Sequence, residues 1–162
     1  NPIDPDELAY WNKNARPHYT EGAARIWSRN ANLSHVPEDS GNTNLRRVIY
    51  YNYKDSGEQD FWGFRGRVKR AMTESGYPSR VSVLVCNSGC NGNVVQVRFH
   101  HDGFVGQSSD YGEPLQNMIA KYNEIFGDES YAQDSAKMAE SLEENGRSIR
   151  HHEYLPELSS SW

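Results

Sequence analysis

Two runs of alternating apolar residues decide the fold of this chain: VSVLVC at residues 81–86 and NVVQVRF at residues 93–99. The segment between them is rich in Asn, Ser and Gly, which favour tight turns because they tolerate turn conformations that other residues avoid. Along the second run Val95, Val97 and Phe99 fall on one side, and Gln96, Arg98 and His100 fall on the other. The pattern predicts a β-hairpin in a sheet that is buried on one face.

A strand and a helix are predicted before this hairpin. Residues 46–53 are rich in aromatic and β-branched side chains, which favours a strand. Apolar residues then recur at helical spacing over residues 61–72, and Ser56 with Gln59 fits a capping box at the start of that helix.

The same two elements are predicted after the hairpin, in the opposite order. An apolar stripe over residues 115–126 predicts a second long helix. A short helix is expected over residues 134–144, with Asn145 and Gly146 as its stop, and a fourth strand over residues 147–155.

This order of elements predicts an α+β fold of the split βαβ, or ferredoxin-like, plait type. The expected sheet is four-stranded and antiparallel, in the order 4-1-3-2, with the helices on one face. Residues 1–44 are interpreted as a helical and irregular arm, with a helix over residues 22–28, anchored on the core by Trp11 and Trp27. Residues 45–156 form the plait core, and residues 157–162 form a C-terminal tail.

Charge is unevenly distributed over the 162 residues, whose net charge is −5. Residues 45–80 hold eight Lys or Arg and four Asp or Glu, whereas residues 110–157 hold four and eleven. The distribution fits two helical faces of opposite charge that attract each other in the fold. It also fits a basic patch that binds phosphate or anionic lipid.

The two cysteines, Cys86 and Cys90, lie where the first hairpin strand enters its turn. Their spacing favours a disulfide that fixes the turn and indicates an oxidising compartment. Two unpaired thiols, or half of a zinc site, are the alternatives. The zinc interpretation lacks a second pair of ligands, which structural zinc sites normally show.

Two histidine doublets are the main candidate functional residues. His100-His101 ends the second hairpin strand, and His151-His152 lies in the fourth strand. In the plait both doublets would lie at the same end of the sheet, on either side of Arg46. Alternation would place Arg98, His100, Arg150 and His152 on the open face, and Arg46 could join them.

Four interpretations of this cluster remain open. The side chains could be solvated strand ends without a function. They could bind an anion or nucleic acid, because Arg holds phosphate bidentately. His100 and His152 could act as the base and acid of a metal-free ribonuclease. A metal bound with Asp102 or Glu153 is the fourth. The expected binding residues are Arg46, Arg98, Arg150, His101 and His151, with no metal and no cofactor.

Other features favour secretion. The chain begins Asn1-Pro2-Ile3, which is typical of a processed end. Asn32 begins the glycosylation acceptor Asn-Leu-Ser. No run approaches the roughly 20 apolar residues of a membrane span. The acidic net charge argues against a dedicated nucleic-acid-binding module, although nucleic acid stays possible as a partner.

In architecture alone, a small secreted plait of this kind resembles killer toxins and fungal effector proteins with α/β plaits. The resemblance implies a toxin or effector role in virulence and carries no residue over. We therefore expect a secreted protein that binds a protein or cell-surface target and is not an enzyme. The alternatives are the ribonuclease-like or phosphate-binding enzyme, and a protein whose interaction is gated by pH. The sequence leaves the oligomeric state open.

Overall fold

The computed structural model describes residues 4–14, 16–18, 24–38, 40, 43–101, 103 and 112–155. Its helices there are α1 (Pro5–Asn14), α2 (Glu58–Glu74), α3 (Gly112–Phe126) and α4 (Ser130–Glu140). Its strands are β1 (Ile26–Arg29), β2 (Leu45–Tyr53), β3 (Val81–Ser88), β4 (Asn93–His101) and β5 (Leu142–Glu153). Single turns of 3-10 helix cover Arg16–His18 and Asp55–Gly57. The predicted tail, residues 157–162, and Asp102 lie outside the described residues.

The strands form one five-stranded sheet in the order β1-β3-β4-β2-β5, and every neighbouring pair is antiparallel. The prediction of an α+β protein with an antiparallel sheet is confirmed. The prediction of four strands was wrong, because β1 adds a fifth strand beside β3. The expected helix over residues 22–28 was also wrong where it is described. Ile26 and Trp27 are residues that favour strands, and the edge of β3 supplies their backbone hydrogen-bond partners.

Side-chain alternation gives the sheet a buried helix side. Ile49 and Tyr51 of β2 and Val97 of β4 belong to one core cluster with residues of α2 and α3. Phe61 of α2 and Tyr122 of α3 are fully buried there, and α4 packs against both helices. Burial of this cluster is the main favourable term that holds helices and sheet together.

The entry into α2 differs from the predicted capping box. Ser56 lies inside a 3-10 turn, and α2 begins after Gly57 without a side-chain cap. A Cβ atom on Gly57 would meet Ser141 at 2.5 Å, so contact with the segment after α4 fixes this entry. A tertiary contact therefore replaces the local cap that the sequence pattern indicates.

Helix α4 begins four residues earlier than predicted, and strand β5 begins five residues earlier. Asn145 and Gly146, the expected helix stop, lie within β5, where the pairing with β2 shifts register between Tyr51 and Tyr53. Asn145 has φ of 58°, a conformation that Asn adopts more readily than most residues. The turn signal was real, but it marks an irregularity in a strand rather than the end of a helix.

Candidate functional site

Five basic side chains converge on the sheet face opposite the helices. They are Arg46 of β2, Arg98 and His100 of β4, and Arg150 and His152 of β5. Arg46 pairs with His100 on one side and with His152 on the other. Val48, the next residue on that face, pairs with Arg98 and Arg150. Directly paired residues of antiparallel strands point to the same side, so the five side chains share one surface. We call it the arginine face.

The arginine face is built over buried residues. Val48 is 1% exposed and Gln96 is 4% exposed, although both point away from the helices. Gln96 Oε1 accepts a hydrogen bond from Arg98 Nε at 3.0 Å, which orients that guanidinium. Arg46, Arg98 and His100 are therefore at least partly buried on this base, whereas Arg150 and His152 are exposed at its β5 edge.

Two aromatic rings, Tyr50 of β2 and Trp27 of β1, lie beside the arginine face. The guanidinium of Arg150 lies 5.2 Å from the ring centre of Tyr50. The ring of Trp27 meets Tyr50 edge-on at 6.2 Å, although β3 and β4 lie between their strands. The indole therefore lies across the sheet, and the N-terminal segment covers part of this face through Trp27.

No carboxylate of the described residues forms an ion pair with the arginine face. The ion pairs among the described residues are Arg67–Asp134, Arg70–Glu74 and Lys121–Glu124, and they all lie on the helices. The Nε atoms of Arg46 and Arg80 are buried without a hydrogen-bond partner in the described part of the chain. Concentrated positive charge with unused N–H donors is the chemistry of an anion-binding surface.

This environment lowers the pKa values of the two imidazoles on the face. Burial lowers the pKa of His100 from 6.5 to about 4, and the charges of Arg46, Arg80 and Arg98 add to the shift. Burial also lowers the pKa of His152, with Arg98 and Arg150 adding to the effect. Burial and Arg46 lower the pKa of Arg98. Both imidazoles are therefore neutral at pH 7, and the positive charge comes from the arginines.

Two of the predicted binding residues point away from the arginine face. His101 pairs with Leu45, and His151 pairs with Arg47, so both alternate to the helix side. His101 is 2% exposed and stacks on Phe99 with ring centres 6.4 Å apart. The side-chain period of two separates each doublet, so only one histidine of each pair joins the arginines.

Arg80 is a neighbour that the sequence interpretation missed. It stands two residues before Ser82, which pairs with Arg98 on the arginine face. His100 N–H donates to the carbonyl oxygen of Arg80 at 3.0 Å, and the charge of Arg80 contributes to the low pKa of His100. Extending the alternation of the hairpin strand backwards by one step could have found it.

The disulfide lies at the turn between β3 and β4, and the glycosylation acceptor lies in the turn after β1. Cys86 and Cys90 are bonded, with their Cα atoms 6.3 Å apart. Gly89 closes this turn at φ of 79°, and a Cβ there would overlap the carbonyl oxygen of Ala24. Asn32 is exposed in the turn after β1.

No family model, curated protein or solved structure matches this chain. In the described part of the chain, no helix combines the length and apolar character that crossing a membrane requires. The same residues contain no group of three or more His, Cys, Asp or Glu side chains arranged to hold a metal ion.

Proposed function

We propose that this is a small secreted protein that acts by binding a target, in the manner of a toxin or effector. The arginine face is the contact surface, and it recognises a phosphate or sulfate group on a protein or cell-surface molecule. One observation carries the proposal: three guanidiniums converge on one sheet face, and no carboxylate of the described residues forms an ion pair with them. An arriving anion would supply the missing counter-charge.

Binding is favoured over catalysis by the protonation of the histidines. A metal-free ribonuclease needs one imidazole as base and a second, protonated, as acid. Burial and neighbouring arginines lower the pKa values of His100 and His152 together, which disfavours the protonated imidazole that the acid step needs. A ribonuclease remains the second candidate because the two imidazoles flank Arg46, about 10 Å apart over two strand spacings.

Secretion is supported by the Cys86–Cys90 disulfide, since such bonds persist mainly in oxidising compartments. The exposed Asn32 in its acceptor sequence agrees with that environment. The net charge of −5 disfavours nucleic acid as the main partner, because electrostatic attraction dominates that binding.

We also propose that the core has the split βαβ topology. Support comes from the order β5-β2-β4-β3, which is the 4-1-3-2 order of a plait, with α2 and α3 as the two crossovers. In this interpretation β1 is an addition to the edge of the plait.

The first experiment titrates the protein with inorganic phosphate at pH 7 and follows backbone and arginine side-chain signals by NMR. We expect saturable shifts at Arg46, Arg98 and Arg150, and weaker binding in Arg46→Gln and Arg98→Gln. Arg70→Gln is the matched control, because Arg70 is an exposed arginine of α2 that pairs with Glu74. Equal phosphate affinity in wild type and Arg46→Gln would overturn the proposal.

The same preparation decides between the two candidate functions. Cleavage of RNA by the wild type that is lost in both His100→Ala and His152→Ala would replace the binding protein with the ribonuclease. Binding of phosphate without cleavage, weakened by the arginine variants, supports the binding protein.

A pH-gated interaction is the remaining alternative, expected from the sequence to switch between about pH 5 and 7. The low pKa values of His100 and His101, both about 4, put their protonation in the folded protein below that range. The affinity for sulfate, whose charge stays constant over this range, measured from pH 7 to pH 4 tests it. Affinity that rises where His100 titrates would support a gate, and a flat profile would exclude it.

A further inference from the structure

A second basic site lies on the other side of the sheet, in a cleft of about 400 Å³ between the helices and the strands. The cleft lies between β2, β5 and the three packed helices, and most of its lining is aliphatic or aromatic. Its apolar lining includes Ile49, Phe64, Val68, Met72, Met118 and Met138. Pockets of this size and character accommodate small organic molecules.

Arg65 of α2 lines this cleft although it is only 8% exposed. Its guanidinium lies 4.9 Å from the ring centre of Phe64 and 5.4 Å from that of Tyr51. Its Nε atom is buried without a hydrogen-bond partner, and no ion pair joins Arg65 to any described residue. The two aromatic rings therefore hold the cation in place, while its Nε–H group is left without an acceptor among the described residues.

The remaining charges of the cleft have the same sign. Arg47 and Arg147 also line it, and the described lining residues include no Asp or Glu. Arg47 stacks over Phe99 at 4.8 Å, and Arg147 is exposed at the start of the regular part of β5. Burying a cation without a counter-charge is costly, and an anion bound in the cleft would offset that cost.

We propose that this cleft binds a small amphipathic carboxylate, with an apolar body of about ten carbon atoms. The carboxylate accepts hydrogen bonds from Arg65, and the apolar body contacts Phe64 and the methionines. The apolar lining disfavours a highly hydrated inorganic anion. Arg65 is the most buried of the three lining arginines and is the partner for one carboxylate. This site is separate from the arginine face and does not depend on the function proposed for it.

The chain offers a direct probe of the cleft. Its three methionines, Met72, Met118 and Met138, all line it. Methyl-labelled methionine therefore gives an NMR spectrum in which every signal reports on this site. The probes are decanoate and 2-naphthoate, one flexible and one planar, with decanol and 2-naphthol as uncharged partners.

We expect at least one of the two acids to shift the methionine signals saturably and to bind more tightly than its alcohol. Arg65→Met, which keeps the apolar volume, should weaken the acid by about tenfold or more, the effect of losing a charge-assisted hydrogen bond. The alcohol should bind Arg65→Met as it binds wild type. Arg70→Met on the same helix is the control and should leave the acid's affinity unchanged.

Arg65→Lys keeps the charge, and it replaces Arg65→Met in the binding measurement if Arg65→Met fails to fold. It should retain most of the acid's affinity and still prefer the acid to its alcohol. The proposal is overturned if neither acid shifts the methionine signals, or if acid and alcohol bind wild type equally. It is equally overturned if Arg65→Met, once folded, binds the acid as tightly as wild type does.

Discussion

The two faces of this sheet carry similar buried residues, but these residues serve different purposes on each face. On the helix side, Ile49 and Val97 are buried under aromatic side chains of α2 and α3. On the arginine face, Val48 and Gln96 are buried as well, but their neighbours there include Arg98 and Arg150 rather than residues of the helices. The comparison teaches that burial alone does not make a core. A face becomes a core where apolar partners cover it, and a candidate site where cations do.

The largest expected effect on stability comes from a substitution on the helix side of the sheet. Phe61→Ala removes a fully buried ring that stacks on Tyr53 with centres 4.8 Å apart. We expect a loss of about 3–5 kcal/mol in the free energy of unfolding, from lost burial and the cavity left behind. Urea denaturation followed by circular dichroism measures it. Tyr50→Ala, on the arginine face, should lose less than half as much; equal losses would remove the distinction between the faces.

Acid should destabilise the protein through one histidine on each face. His100 and His101 have pKa values of about 4 in the fold, below the ordinary 6.5. Burial is the main cause, with Arg46, Arg80, Arg98 and His101 adding to it at His100, and Arg47 and His151 at His101. Between these pH values the unfolded chain binds more protons, so the free energy of unfolding falls as the pH drops.

Each imidazole contributes a slope of up to about 1.4 kcal/mol per pH unit in that window. Thermal unfolding measured from pH 7 to pH 4 should show the decline, and His100→Asn should make it shallower. An equally steep decline in that variant would mean that His100 is already protonated in the folded protein above pH 4.

The disulfide should contribute a smaller, local stabilisation. Cys86→Ser with Cys90→Ser opens a loop with a sequence separation of four residues, and such a short loop is worth about 2 kcal/mol. Amide exchange should rise mainly in the β3–β4 hairpin. Reduction of the wild type should reproduce the loss, and alkylation before reduction should modify neither thiol. Two thiols that react without reduction would contradict the disulfide and remove its support for secretion.

The smallest change in stability is expected on the arginine face itself. Arg150 is exposed and contacts Tyr50 through its guanidinium. Arg150→Gln should alter the free energy of unfolding by less than about 0.5 kcal/mol, as is usual for exposed positions, yet weaken phosphate binding. A large loss of stability with unchanged phosphate affinity would make Arg150 a packing residue rather than a binding one.

The candidate site was predictable to the extent that it depends on strand alternation. His100 and His152 were expected beside Arg46 because the order of strands and helices sets the order in the sheet, and the register bears out this placement. His101 and His151 were included as binding residues by their position next to those histidines. The same alternation turns both to the helix side, so adjacency in sequence was the wrong criterion.

The sequence by itself determined the hairpin with its tight turn, the long helices and the antiparallel sheet, since local periodicity and turn residues specify them. Only the tertiary structure decided that Ile26–Arg29 is an edge strand and that Gly57, pressed against Ser141, starts α2. It also decided that Arg65 is a buried cation without an ion pair among the described residues. These features depend on contacts between residues far apart in the chain, and no local pattern of side chains encodes such contacts.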